Sequence, residues 1–157
     1  MHLLAHYFLP LENPAGDWDK LRIFNMITTH DLDELETGDT IAYLKTPEMY
    51  AAEAEAGRVV VEKAPYILIL KPMIAKAHGE YNERETIESK FVKAVDAFEP
   101  LIQIYSPFGK SIITKNKATP ANNRKSKDPH IIHFPTMWTY YETIHLTMIE
   151  EGYFNHS

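Results

Sequence analysis

The hydrophobic positions of this 157-residue chain fall into two kinds of pattern. The first is the short, nearly continuous apolar run. Arg58 to Glu62 carries Val59-Val60-Val61, and Tyr66 to Lys71 carries Ile67-Leu68-Ile69-Leu70. Runs this short predict strands buried on both faces, in the middle of a sheet. His2 to Leu9 reads as a further strand, ended by Pro10 and a loop through Asn13-Pro14-Ala15-Gly16. Thr40 to Lys45 reads as a strand entered through Gly38-Asp39. Leu101 to Ser106 and Lys110 to Lys115 pair around a turn at Pro107-Phe108-Gly109, and His130 to Phe134 is a last short strand.

The second pattern is helical. Over 83–98, Ile87, Phe91, Ala94, Val95 and Phe98 fall within about an 80° arc. Asn82 is the expected cap, with Glu85 completing a capping box. A final helix is predicted over 137–151, capped by Thr136 and stopped by Gly152. Thr46, Pro47 and Gly57 bracket a surface helix near 47–56. Residues 17–30 fit two patterns. Trp18, Leu21, Phe24 and Ile27 suit a helix capped by Asp17, whereas Leu21-Arg22-Ile23-Phe24 suits a strand. The expected architecture is a single α+β domain over 1–157. A mixed or mostly antiparallel sheet of about 5–7 strands is packed by the helices 83–98 and 137–151.

Composition narrows the class. The chain is 45% hydrophobic and 24% charged, which is ordinary globular material. It has no cysteine, which excludes a disulfide framework, a zinc knuckle and a thiol nucleophile together. The N-terminus has no basic lead-in, and the apolar stretch from Ala64 to Ala77 is broken by Lys71 and Pro72. A cytoplasmic protein with no membrane partner is therefore expected.

Net charge is −6, unevenly spread. Residues 1–64 hold 12 acidic and 5 basic side chains, residues 109–157 hold 4 and 6. The run Asp31, Asp33, Glu34, Glu36 and Asp39 reads as a solvated turn, or as a face for a basic protein partner. It lacks the calcium-loop pattern.

The basic side is the richer lead. Lys110, Lys115, Lys117, Arg124, Lys125 and Lys127 occur with no acid between them, in a setting of Asn, Thr, Ser and Pro. A flexible loop at about 116–128 is expected, able to meet phosphates, with Tyr105 and Phe108 offering stacking faces. The candidate ligand is nucleic acid or a phosphorylated molecule. Gly109-Lys110-Ser111 resembles the end of a phosphate-binding P-loop, but Ile104 stands where that motif needs glycine.

Among eight histidines, His130, His133 and His145 are the catalytic candidates. His145-Leu146-Thr147 resembles one copy of the His-x-Thr motif of 2H phosphoesterases, which use two copies; no second copy is present. No histidine spacing converges on a metal, so neither metal nor cofactor is expected. The run Leu32 to Leu44 resembles the strand entry of PUA-like barrels, which implies an RNA or modified-base ligand. The leading expectation is a small non-enzymatic binding protein. The alternatives are an inhibitor or interaction module using the acidic face, and a metal-independent, histidine-dependent phosphodiesterase or nuclease.

Overall fold

A computed structural model of the chain describes residues 1–38, 40, 44–63 and 70–154. Among these residues every regular element is a helix and there is no strand, which overturns the α+β expectation. The chain divides into two compact units. One comprises Met1–Asp17 with Lys93–Ser157, the other Trp18–Val92.

The first unit holds α1 (His2–Glu12), the later part of α6 (Ile87–Ile104), α7 (Pro107–Lys115), α8 (Pro120–Ile131) and α9 (Pro135–Glu150). Helix α1 is the segment that resembled a strand. It buries Ala5, Phe8 and Leu9 and leaves Leu3 86% exposed, a 3.6-residue period that alternation cannot produce. Phe8 meets Phe98 edge-to-face at 5.1 Å, and α9 packs on both α1 and α8. Within α6, Ala94, Val95, Phe98 and Leu101 are buried here. Leu101 to Ile104 thus continue that helix, where a strand was expected.

The turn expected at Pro107-Phe108-Gly109 is a helix start. Ser106 caps α7 by accepting from the Gly109 N–H at 3.1 Å, with Pro107 at the first helical position. Gly109 is required by crowding: a Cβ there would overlap the Ile104 carbonyl. Lys110 to Lys115 accordingly lie in α7 rather than in a strand.

Helix α8 forms within the polar segment read as a loop. Thr119 accepts from the Asn122 N–H at 3.2 Å, and the Asn122 side chain accepts from the Thr119 N–H at 2.8 Å. This reciprocal cap uses asparagine where the usual motif has Glu or Gln. His130 and Ile131 end α8 and the chain turns into α9, so no strand forms at 130–134. Helix α9 starts at Pro135 with Phe134, not Thr136, at the cap.

The second unit holds α2 (Lys20–Thr29), α3 (Glu34–Thr37), α4 (Pro47–Lys63), α5 (Leu70–Glu83) and the start of α6. The ambiguity over 17–30 resolves as a helix capped by Asp19, which accepts from the Arg22 N–H at 3.0 Å. Ile23, Met26 and Ile27 form its buried stripe. Helix α4 starts at Pro47 as expected but runs through Gly57, so Arg58 to Glu62 are helical. Asn82 lies inside α5, and α6 is instead initiated by Thr86, whose hydroxyl accepts from the Ser89 N–H at 3.2 Å. Leu70 and Lys71 are helical, and the rest of the strand expected over 66–71 lies outside the described residues, as does most of Thr40 to Lys45. Helix α5 packs on both α2 and α4, and α3 packs on α4.

For Arg58–Glu62, Lys110–Lys115 and His130–Phe134 the reason lies in their β-branched residues. Valine-rich and isoleucine-rich runs carry a strand preference of only about 1 kcal/mol, which context overrides. No helix among the described residues is long and apolar enough to cross a membrane.

Candidate functional site

The ligand-binding candidates all lie in the first unit. Phe108 is 84% exposed and Lys115, Lys117 and Lys125 are exposed. The others are engaged internally. The Tyr105 hydroxyl donates to Glu151 at 3.1 Å, and Lys110 Nζ donates to the Glu151 carbonyl at 2.7 Å. Arg124 forms a two-pronged pair with Glu142 at 2.6 and 3.0 Å. Lys127 Nζ donates to the Ala97 carbonyl at 2.5 Å; burial pushes its ammonium down to about 8, against the pull of Asp96.

Of the histidine candidates, His130 is half-buried on α8 and His133 is exposed in the turn before α9. His145 is fully buried in the α9 stripe with Met137, Tyr141 and Met148. Its ring stacks on Tyr141 at 5.6 Å, and its Nδ1 lies 3.0 Å from the Asn123 side-chain amide. Burial, and secondarily Arg124, lower its pKa. Thr147, the other half of the His-x-Thr motif, donates to the Thr143 carbonyl at 2.8 Å, an ordinary helical back-bond.

A different histidine occupies a more reactive setting, in the second unit. His30 caps the C-terminus of α2. Its Nδ1 lies 2.8 Å from the Ile27 carbonyl oxygen, which assigns the proton of the neutral ring to Nδ1. Its Nε2 lies 2.8 Å from Oδ2 of Asp31. Tyr81 of α5 meets the ring edge-on at 5.7 Å. The His30 side chain is 13% exposed, whereas that of Asp31 is 54% exposed, so the carboxylate opens to solvent.

Imidazole nitrogen and carboxylate oxygen are both ligand types for a divalent ion. The donor chemistry fits a divalent ion. Bonds of about 2.1 Å at right angles place donor atoms about 3 Å apart. A ring N–H donated to a backbone carbonyl is the usual support of a metal-binding histidine. Within each unit, among the described residues, no group of three His, Asp or Glu side chains is gathered to hold a metal.

The rest of the acidic run has local partners. Asp33 Oδ1 lies 3.7 Å from His78 Nε2. Burial pushes the Asp33 carboxyl up, but His78 and Lys45 more than offset this and hold it below its ordinary value. Glu36 pairs with Lys63 at 3.5 Å. Asp39 lies outside the described residues, as do residues 41–43 of the segment that resembled a barrel-strand entry. Arg22 and Glu80 pair at 2.6 Å, fixing α2 to α5. Between α4 and α5 lies a cleft of about 560 Å³, which touches this region only through His78.

His30 was not among the residues selected from sequence. The signal was present: it is the one histidine in the chain followed directly by aspartate, at the end of an amphipathic helix. No curated protein and no solved structure matches the chain. A family model described as HD domain matches residues 1–138, most of the chain, and so the chain belongs to the HD domain family.

Proposed function

We propose that this chain is a phosphohydrolase that works at His30 and Asp31. The observation that carries the reading is the pairing of Nε2 of His30 with Oδ2 of Asp31 at 2.8 Å. Membership of the HD domain family supports it. In the reaction a water oxygen attacks phosphorus, the ester P–O bond breaks, and an alcohol leaves. His30 and Asp31 would hold a divalent metal ion, contrary to the expectation from histidine spacing. When bound, such an ion offsets phosphate charge and acidifies water. The chain's own contribution is positional. The Ile27 carbonyl, 2.8 Å from Nδ1, orients the ring so that Nε2 is turned toward Asp31, and the open carboxylate of Asp31 faces solvent.

The basic segment gives a nucleic-acid surface less support than its composition suggests, since its exposed cations reduce to Lys110, Lys115, Lys117 and Lys125. That segment forms α7 and α8, and Arg124 and Lys127 are engaged in internal bonds. The test is phosphate release from p-nitrophenyl phosphate and from nucleoside and sugar monophosphates. The protein is first stripped with chelator, then supplied with Mn²⁺, Co²⁺, Mg²⁺ or Zn²⁺ singly. Release restored by one of these ions is expected. Release at full rate in chelator would favour metal-independent chemistry, and no release under any condition would overturn the proposal.

A further inference from the structure

The cleft of about 560 Å³ between α4 and α5 is of the size that takes a small organic molecule. Its α5 wall is formed by Lys71, Ala75, His78 and Asn82, at intervals that align them on one helix face. Gly57 of α4 lets a ring form the floor: a Cβ there would overlap the imidazole of His78. That ring is buried, yet neither nitrogen has a well-made hydrogen bond. Both lie 3.4 Å from the one Asn82 amide nitrogen, which is in line with neither, and Nε2 lies 3.7 Å from Oδ1 of Asp33. A buried imidazole so placed is short of a hydrogen bond. The charge of the cleft is also unbalanced. Arg58 and Glu62 offset each other at 2.6 Å. Lys71 Nζ donates to the Glu62 carbonyl at 2.9 Å and pairs with no carboxylate among the described residues.

Lys71 and His78 stand on one face of α5, about 10 Å apart along its axis. Ala75 lies between them, and Val61 and Pro72 add further apolar lining. A cation at one end, an apolar middle and an underbonded imidazole at the other end together describe a ligand. We propose that this cleft binds an elongated organic anion. Its acid group pairs with Lys71, its apolar body lies along Ala75, and a hydroxyl at its far end hydrogen-bonds to His78. A hydroxyl both donates and accepts, so it suits either tautomer of the neutral ring. Neither His30 nor Asp31 lines the cleft, and the inference does not rest on the reading of that pair.

The probe is 4-hydroxycinnamate, a rigid acid with carboxylate and hydroxyl at opposite ends. Calorimetry on the full chain compares it with cinnamate and with ethyl 4-hydroxycinnamate. The hydroxy acid should bind saturably at about 1 mM or tighter, the range for a ligand of roughly a dozen heavy atoms. Cinnamate, which lacks the hydroxyl, and the ester, which lacks the charge, should each bind at least about threefold more weakly. Gly79 supplies a blocking variant. It lines the cleft, and a Cβ there would meet nothing within 4 Å, so Gly79→Leu fills the space without a clash at its root. Leucine is also the better helix former, so the melting temperature should not fall while binding is lost. Lys71→Gln should erase the preference for acid over ester. The ligand series and Lys71→Gln decide the matter whether or not Gly79→Leu folds. Equal affinity in the parent and a folded Gly79→Leu would place the ligand elsewhere and overturn the inference. So would the absence of saturable binding at millimolar 4-hydroxycinnamate. An ester that binds the parent as tightly as the acid would overturn the pairing with Lys71, and cinnamate binding as tightly as the hydroxy acid would overturn the bond to His78.

Discussion

Nε2 of His30 lies 2.8 Å from Oδ2 of Asp31, its immediate neighbour in the chain. Within a continuous helix, side chains one residue apart do not face each other. Helix α2 ends at Thr29, His30 is its cap with helical dihedrals (φ −62°, ψ −35°), and Asp31 stands in the following turn.

Burial of His145 should make stability depend on pH. Its folded pKa is below the ordinary value of 6.5, chiefly through burial. Above 6.5 the ring is neutral folded and unfolded, and the contribution is fully present. As pH falls below 6.5, the unfolded chain takes up a proton that the folded core resists, so stability declines until the folded pKa is reached. The slope is at most about 1.4 kcal/mol per pH unit. Urea midpoints at about pH 7.5 and 5.5 should fall further for the parent than for His145→Gln. Equal declines would show that this ring is not a source of acid sensitivity.

Phe91 and Phe108 should behave oppositely. Phe91 is fully buried on α6, 5.5 Å from Trp18, whereas Phe108 is 84% exposed. Phe91→Ala is expected to cost about 3–5 kcal/mol in a denaturant melt. Phe108→Ala should stay within about 0.5 kcal/mol of the parent. A cost below about 1 kcal/mol at Phe91 would contradict its place in the core.

The cap of α8 offers a third check. Thr119→Ala removes the acceptor for the Asn122 N–H and should cost about 1 kcal/mol. Amide exchange across Pro120–Ile131 should accelerate in the variant. Exchange as fast in the parent as in an unstructured peptide would show that the helix is not maintained in solution.

Sequence pattern located helices better than it located their absence. The final helix, the start of α4 at Pro47 and most of the buried stripe of α6 follow from apolar period and capping residues. Ile87, placed in that stripe, is 42% exposed because α6 begins there. The strand expectations fell where β-branched runs entered helices. Val59-Val60-Val61 places just one buried side chain, Val61, because successive residues rotate around α4. Pro107-Phe108-Gly109 resembled a turn and Thr119 to Asn122 lay within the expected loop, yet both places are helix starts with proline at the first position. The site was hidden for a related reason. Asp31 appeared as one of five acids in a solvated run, and neither composition nor spacing shows that its neighbour's ring is oriented by the Ile27 carbonyl.

The most direct measurement is kcat/KM for phosphate release with the best-supporting metal in Asp31→Asn and His30→Asn, each confirmed as folded by its melting curve. If these two side chains form the reactive centre, each substitution should lower kcat/KM by about 100-fold or more, the loss typical when a charge-stabilising group is removed from a reacting centre. Variants that stay folded and remain within a few-fold of the parent would place the chemistry elsewhere and contradict the account.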